Sequence, residues 1–318
     1  MPARDSVYAI SATVLFDGDR LLEDRAVIVR GENIEAIVPR NDVPAEVTVT
    51  ELSDGILAPG FVDLQVNGGG DVMLNTDPTA AGVRAIADAH RSKGTTGLLP
   101  TVISDTREVI EAAAGAVRDA RAQQLHSVLG MHIEGPFLNP AKRGAHREDR
   151  IDTATTVDIR WLTTLTDFPT LLTLAPERFD DAALQQLAAS SLLLAAGHTD
   201  ASFEQMQRAA RLGVTGVTHL YNAMSPLLSR APGAVGGALL LDSLWAGIIA
   251  DGHHVHAGAI ALAARAKPAG KLILVSDAMA TVGGNRNACD IYGEAVQEVD
   301  GKLINAEGKL AGSAIGMI

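Results

Sequence analysis

The chain has one cysteine in 318 residues, Cys289, so no disulfide can form within it and a reducing compartment, the cytoplasm, is the expected setting. Basic charge is also in deficit, with 26 Lys and Arg against 38 Asp and Glu and a formal charge of −12. That balance argues against a nucleic-acid surface and against a polybasic membrane patch. An anionic substrate would have to be drawn in by a local basic pocket. The first twenty residues lack a charged segment followed by an apolar one, so no secretory signal is expected. No uncharged apolar run approaches the ~20 residues that a membrane-spanning helix needs. Internal repeats and low-complexity segments are absent too. What remains is 47% hydrophobic and 20% charged, an ordinary globular composition. The length fits either two domains or one α/β barrel with a small appendage.

Residues 1–55 read as short strands. VYAISATVLF, AVIVR, NIEAIV and VTVTEL are rich in β-branched residues and are separated by turn signals such as Asp17-Gly18-Asp19 and Gly31-Glu32-Asn33. From Ile56 onward the texture changes to apolar runs alternating with helical patterns. There are eight such runs: ILAPGFVDLQ, TTGLLPT, VLGMHIEGPF, TLLTLAPE, LLLAAGHTD, GVTGVTHLY, LWAGIIADG and KLILVSDA. Between them, a 3.6-residue period puts Val109, Ile110, Ala113 and Val117 on one helix face, and Phe203, Met206 and Ala210 on another. Asp200 or Ser202 is placed to cap the second helix at its start, and Gly213 to end it. Eight strands followed mostly by helices predict a (β/α)8 barrel, with a doubly wound sheet as the alternative because strand order is not legible in sequence. The stretch YGEAVQEVDGKLINAEGKL reads as hairpins inserted after the eighth strand.

In a barrel, residues at the C-terminal ends of the strands converge on one face. The first run carries Asp63, Gln65 and Asn67, and the third His132 and Glu134. The last four end in His198, His219, the Asp251–His256 cluster and Asp277. Imidazole and carboxylate are natural ligands for zinc or a similar divalent metal, and a His2Glu set leaves a position for water. Glu134, His198 and His219 are the candidate ligands, each on a different strand. Asp277 is the candidate proton carrier, with a helix cap or a ligand-orienting partner as its bland alternative. His253, His254 and His256 have the composition of a second metal site, at least one being an ordinary surface residue. The basic loop Lys142-Arg143-Gly144-Ala145-His146 offers an anion or carbonyl contact. Gly68-Gly69-Gly70 lacks a nucleotide-loop context and reads as a place of close backbone approach.

The segments APGFVDLQVNGGG, HIEGPFLNPAKRGAH, AAGHTDAS, GVTHLYNAMSPLLSR, IADGHHVH and LVSDAMA, in this order, resemble the N-acetylglucosamine-6-phosphate deacetylases of the amidohydrolase superfamily. The resemblance runs from about residue 7 to 316. It implies a metal-bearing barrel at residues 56–318 beside a small β-sandwich at residues 1–55, usually in a homodimer. It also implies Glu134, His198 and His219 as metal ligands and Asp277 as catalytic acid/base. Ala145, His146, Asn222, Ala223, Arg230, His254, Leu310, Ala311 and Gly312 match substrate contacts; for Arg230 the site served is its own or that of a neighbouring subunit. The implied substrate is a phosphorylated amino sugar, and the implied cofactor one divalent metal per subunit: zinc first, with iron, manganese or cobalt as alternatives. Some members carry His-x-His on the first strand and hold two metals; Gln65 and Asn67 stand there in this chain, which favours one. Relatives continue for several dozen residues past the LAGSA motif, so the closing strands of the sandwich are expected to be missing. Rival readings are another amidohydrolase on an N-acyl or cyclic amide substrate, or a non-catalytic sugar-phosphate binding protein.

Overall fold

The computed structural model describes residues 6–318; residues 1–5, the start of the expected small domain, lie outside them. The chain divides into two compact units, Met1–Gly60 and Phe61–Ile318. In the first, β1 (Val7–Phe16), β2 (Leu21–Arg30), β3 (Asn33–Pro39) and β4 (Thr48–Leu57) form one four-stranded sheet in the order β3-β2-β1-β4. The first three strands pair antiparallel, whereas β4 runs parallel to β1. Alternation sorts the side chains by face. Ala9, Ala26 and Ile28 pack on Val7, Val38, Val43 and Val47, while Ile10, Val27, Val29, Ile34 and Ile37 line an apolar groove.

The second unit is built on eight parallel strands: β5 (Phe61–Val66), β8 (Thr95–Ile103), β9 (Met131–Glu134), β10 (Thr170–Leu174), β11 (Leu192–Ala196), β12 (Gly216–Val217), β13 (Trp245–Ile248) and β14 (Leu272–Leu274). They stand in sequential order, with none of the reversal that a doubly wound sheet requires. Bridging of Val66 to Ala278 and donation from Asp277 N–H to Gln65 O join the two ends of the sheet, so it is a nearly closed barrel. Each of the eight apolar runs of the sequence overlaps one of these strands. The short hairpin β6 (Gly68–Gly69) and β7 (Val72–Met73) follows β5. A Cβ on Gly68 would lie 2.5 Å from Val72 O and 2.8 Å from Ala280 N, which is why glycine stands in this close approach.

Seven helices lie between the strands: α1 (Ala80–Arg91), α2 (Arg107–Ala122), α3 (Thr156–Leu162), α4 (Asp181–Ala188), α5 (Phe203–Arg211), α6 (Gly233–Leu240) and α7 (Ala257–Ala266). Each of the first five opens on a Thr, Ser or Asp whose side chain accepts a backbone N–H of the first turn. Helix α2 buries Ile110, Ala113 and Val117 as the periodicity predicts, with Val109 at the margin. In α5 the expected stripe holds in part: Met206 is buried, Ala210 packs against the core and Phe203 is half-buried, while Ala209 is buried beside them. Ser202 and Gln205 form a capping box that fixes where the helix begins. Gly213, at φ +105, stands just past the C-cap Leu212. After β14, the strands β15 (Ala288–Ile291), β16 (Glu294–Val299), β17 (Lys302–Ile304) and β18 (Leu310–Ser313) form an antiparallel meander. Ser313 N–H donates to Asp277 O, which ties the meander to the rim of the barrel. Among the described residues no helix is long and apolar enough to cross a membrane.

Candidate metal centre and active site

Glu134 ends β9, His198 lies two residues past β11, and His219 two residues past β12. His198 (φ +48), His219 (φ +29) and Asp277 (φ +53) all hold left-handed backbone, a region that non-glycine residues seldom occupy. Strain of that kind persists where surrounding structure over-determines it, and it is often found at functional sites. Here it turns three side chains inward at the ends of three strands.

The three candidate ligands converge. Glu134 Oε1 lies 3.2 Å from His198 Nε2 and 2.9 Å from His219 Nε2, and the two ring nitrogens are 3.0 Å apart. Donor atoms around a tetrahedral ion with bonds of about 2.0 Å stand roughly 3.3 Å from one another, so the set is close to the size of a metal site. The tautomer of His198 agrees. Lys142 O lies 2.9 Å from His198 Nδ1 and can only accept, so Nδ1 carries the proton and the Nε2 lone pair faces the cluster. Burial works against ionising Glu134, but the two imidazoles outweigh it and hold the carboxyl well below its usual range. Burial likewise disfavours a charged His219, yet Glu134 raises its pKa. The carboxylate thus favours a cation at this point. Glu134, His198 and His219 fit a divalent metal by geometry, protonation and donor chemistry.

Gln65 and Asn67, poor ligands by residue type, act as donors. Gln65 Nε2 donates to Glu134 Oε1 at 2.9 Å and to Asp277 Oδ1 at 3.1 Å, and Asn67 Nδ2 donates to the same Oδ1 at 2.6 Å. Two neutral amides therefore hold the two carboxylates where they are. Burial, and then the neighbouring Glu134, push Asp277 up from 3.8 to about 6. Asp63 lies deeper. Its Oδ1 accepts the Gln65 and Ser276 N–H groups, and burial raises its pKa to about 7. His132 is one layer below Glu134 on β9, hydrogen-bonded to Thr173 Oγ1 at 2.7 Å and lowered to about 4 by burial. It belongs to the packed interior of the barrel.

A cavity of about 170 Å3 opens over this cluster. Glu134, His198, His219 and Asp277 line it, together with Ala145, His146, Asn222, Ala223, His254, Leu310 and Gly312. Ala311 points into an adjoining cavity with Arg143, and Arg230 is exposed, outside both linings. Gly144 (φ +57) lets the basic loop lie against His198, since a Cβ there would sit 3.3 Å from the ring. Of the histidine cluster, His254 alone lines the cavity, while His253 is exposed and His256 caps α7. Among the described residues the only group fit for a metal is the Glu134 trio.

Two residues escaped the sequence reading. Ser104, just past β8, donates its backbone N–H to His146 Nδ1 at 3.3 Å, with Oγ 2.8 Å from the same nitrogen. Nδ1 must accept, so the neutral ring carries its proton on Nε2, 4.0 Å from Glu134 Oε2. Burial, followed by the nearness of the His198 imidazole, lowers His146 to about 3, so it stays neutral. Tyr292, at the β15–β16 turn, donates its hydroxyl to Ser104 O. The only signal for Ser104 was its place after the second apolar run, and nothing local marks Tyr292.

Comparison with known proteins agrees with this architecture. The model of the amidohydrolase family matches residues 56–294, and that of the NagA composite domain residues 7–57. The chain is 41% identical over 268 residues to an N-acetylgalactosamine-6-phosphate deacetylase of Shewanella sp. (strain ANA-3), covering 84% of this chain and 68% of that one. It is 31% identical over 313 residues to the N-acetylglucosamine-6-phosphate deacetylase of Haemophilus influenzae, covering 98% and 82%. The crystal structure of N-acetylglucosamine-6-phosphate deacetylase from Pasteurella multocida superposes with a TM-score of 0.94 at 35% identity, covering 98% of this chain and 82% of that one. Together with the buried His2Glu cluster on a barrel rim, these matches establish that the chain belongs to the metal-dependent amidohydrolase family, in the branch of the N-acetylglucosamine-6-phosphate deacetylases.

Proposed function

We propose that the protein hydrolyses the acetamide of N-acetylglucosamine 6-phosphate to glucosamine 6-phosphate and acetate. The observation that carries this reading is the meeting of Glu134, His198 and His219 under a cavity that also exposes Asp277. A divalent metal held by the trio, zinc in the first instance, would polarise the acetyl carbonyl and acidify a water molecule. Asp277 has Oδ1 held by Gln65 and Asn67, so Oδ2 is its working atom. There it accepts a proton from the attacking water and delivers it to the sugar nitrogen as the C–N bond breaks, a role worth about 10²–10⁴-fold. The neutral His146 directs its Nε2–H at the oxygen on which negative charge develops.

The amides of Gln65 and Asn67 are engaged with carboxylates, which supports one metal per subunit. We further propose a cytoplasmic homodimer of two-domain subunits, in which the exposed Arg230 of one subunit reaches the phosphate of sugar bound to the other. A second substrate reading comes from the 41% identical relative, whose name specifies the galactosamine epimer. Acetate release from both epimers, measured with and without a chelator, tests the reading. Chelator-sensitive turnover of the gluco substrate is the expected result. Faster turnover of the galacto substrate would transfer the assignment to that epimer, and no release from either would overturn it.

A further inference from the structure

His254 lines the cavity, and its orientation is not left to the substrate. Its Nδ1 lies 2.6 Å from Asp251 Oδ2, and the other carboxylate oxygen of Asp251 accepts the backbone N–H groups of His253 and His254, each at 2.8 Å. The pair is enclosed: the side chain of Asp251 is 2% exposed and that of His254 7%. Both residues belong to the loop after β13, so the carboxylate fastens the loop to itself and the ring to the loop with one group. Burial opposes ionisation of Asp251, but the His254 ring and the two N–H groups outweigh it and hold the carboxyl well below its usual range. An ionised carboxylate can only accept. His254 Nδ1 must then carry a proton, and Nε2 is the ring nitrogen left for the cavity.

We propose that Asp251 is a positioning residue for substrate recognition: it fixes the His254 ring in the Nδ1–H form and presents the Nε2 lone pair to a hydroxyl of the bound sugar. The inference rests on the deacetylase reading for its substrate, though not for the geometry it asserts. It separates this pair from the metal chemistry, because neither residue is among the three converging ligands.

Asp251→Asn is the informative substitution. Its side-chain oxygen can still accept the two backbone N–H groups, so the loop keeps its anchor. Its amide NH2 stands where Oδ2 was and donates, which forces Nδ1 of His254 to accept and moves the proton to Nε2. The expected result is a KM for the phosphorylated acetamido sugar raised about tenfold or more, with kcat within about threefold of the parent and metal content unchanged. Asp251→Glu restores part of the loss. In a His254→Ala background Asp251→Asn costs nothing further, since a residue that acts through another has no effect once that other is gone. An equal cost in both backgrounds would show that Asp251 serves the loop alone and would overturn the proposal. 15N NMR of the histidine rings, with His254 assigned by its loss in His254→Ala, decides the geometry without turnover. Protonation of Nδ1 in the parent that switches to Nε2 in Asp251→Asn is expected; an Nε2–H ring in the parent refutes it. If Asp251→Asn does not fold, the parent spectrum alone still distinguishes the two tautomers. A parent that releases no acetate from either epimer counts against the deacetylase reading, while the NMR result stands by itself.

Discussion

Replacing Asp277 by asparagine alters one atom of the side chain and its charge. The carboxylate accepts Asn67 Nδ2 at 2.6 Å and Gln65 Nε2 at 3.1 Å through a single oxygen, Oδ1. An asparagine can keep its own oxygen in that cradle, so the barrel rim has no reason to rearrange. The second position changes from a proton acceptor to an NH2 group, which removes the shuttle between water and leaving nitrogen. A positioned general acid–base contributes about 10²–10⁴-fold, which at ~1.36 kcal/mol per tenfold raises the barrier by roughly 3–5 kcal/mol. The loss should fall on kcat, with metal content at the parent level because Asp277 is not one of the three converging donors. The pH profile gives a second reading. Burial and the nearby Glu134 raise Asp277 to about 6, and protonation below that value disables the base. A cation beside it pulls the value down again, so the acidic limb of kcat/KM lies at or below about pH 6. That limb should vanish in the residual activity of Asp277→Asn. Steady-state kinetics across pH 5–9 on metal-analysed protein is the assay. A fall in kcat of less than about tenfold, or a loss fully accounted for by missing metal, would refute the assignment.

Protein prepared without chelators should carry one equivalent of divalent metal per chain by elemental analysis, and removal should abolish acetate release; two equivalents, both needed, would refute the mononuclear reading. Arg230→Ala should lower kcat/KM for the phosphorylated sugar by about 10²-fold or more, in line with ~2–5 kcal/mol for truncating a buried charge partner. Its activity on the unphosphorylated sugar should be unchanged, so equal losses on both would place Arg230 in the fold or the dimer instead. Asp63 should make folding pH-dependent, since burial raises it from 3.8 to about 7 and Oδ2 has no partner among the described residues. A raised acid binds its proton more tightly in the folded state, so this contribution is most favourable below about pH 4 and is lost as pH rises towards 7, on the order of 4 kcal/mol in all. Urea melts of the parent and Asp63→Asn at pH 4.5 and 8 should therefore give different stability gaps, and a constant gap would contradict the shift.

Much of this architecture was legible in the sequence because it is local. A parallel strand buried on both faces must be a short apolar run, and a helix covering it must repeat every 3.6 residues, so the eight runs and the stripe of α2 were visible there. The candidate trio was legible for a related reason: barrel topology carries strand ends to one face, so Glu134, His198, His219 and Asp277 needed only their places at the ends of runs to be candidates. Three things were decided by the tertiary structure alone. Strand order depends on pairing between distant segments, and the sequential order of the eight strands, closed by the contact of Val66 with Ala278, separates a barrel from a doubly wound sheet. The role of Gln65 and Asn67 depends on which atoms lie across the barrel; by residue type they are failed ligands, and in space they are the donors that hold Glu134 and Asp277. The tautomers of His146 and His198 are set by partners that spacing does not announce, the Ser104 N–H and the Lys142 carbonyl. Residue type supplies the chemistry a site can do, and the position of hydrogen-bond partners within about 3 Å determines which of those chemistries each side chain performs.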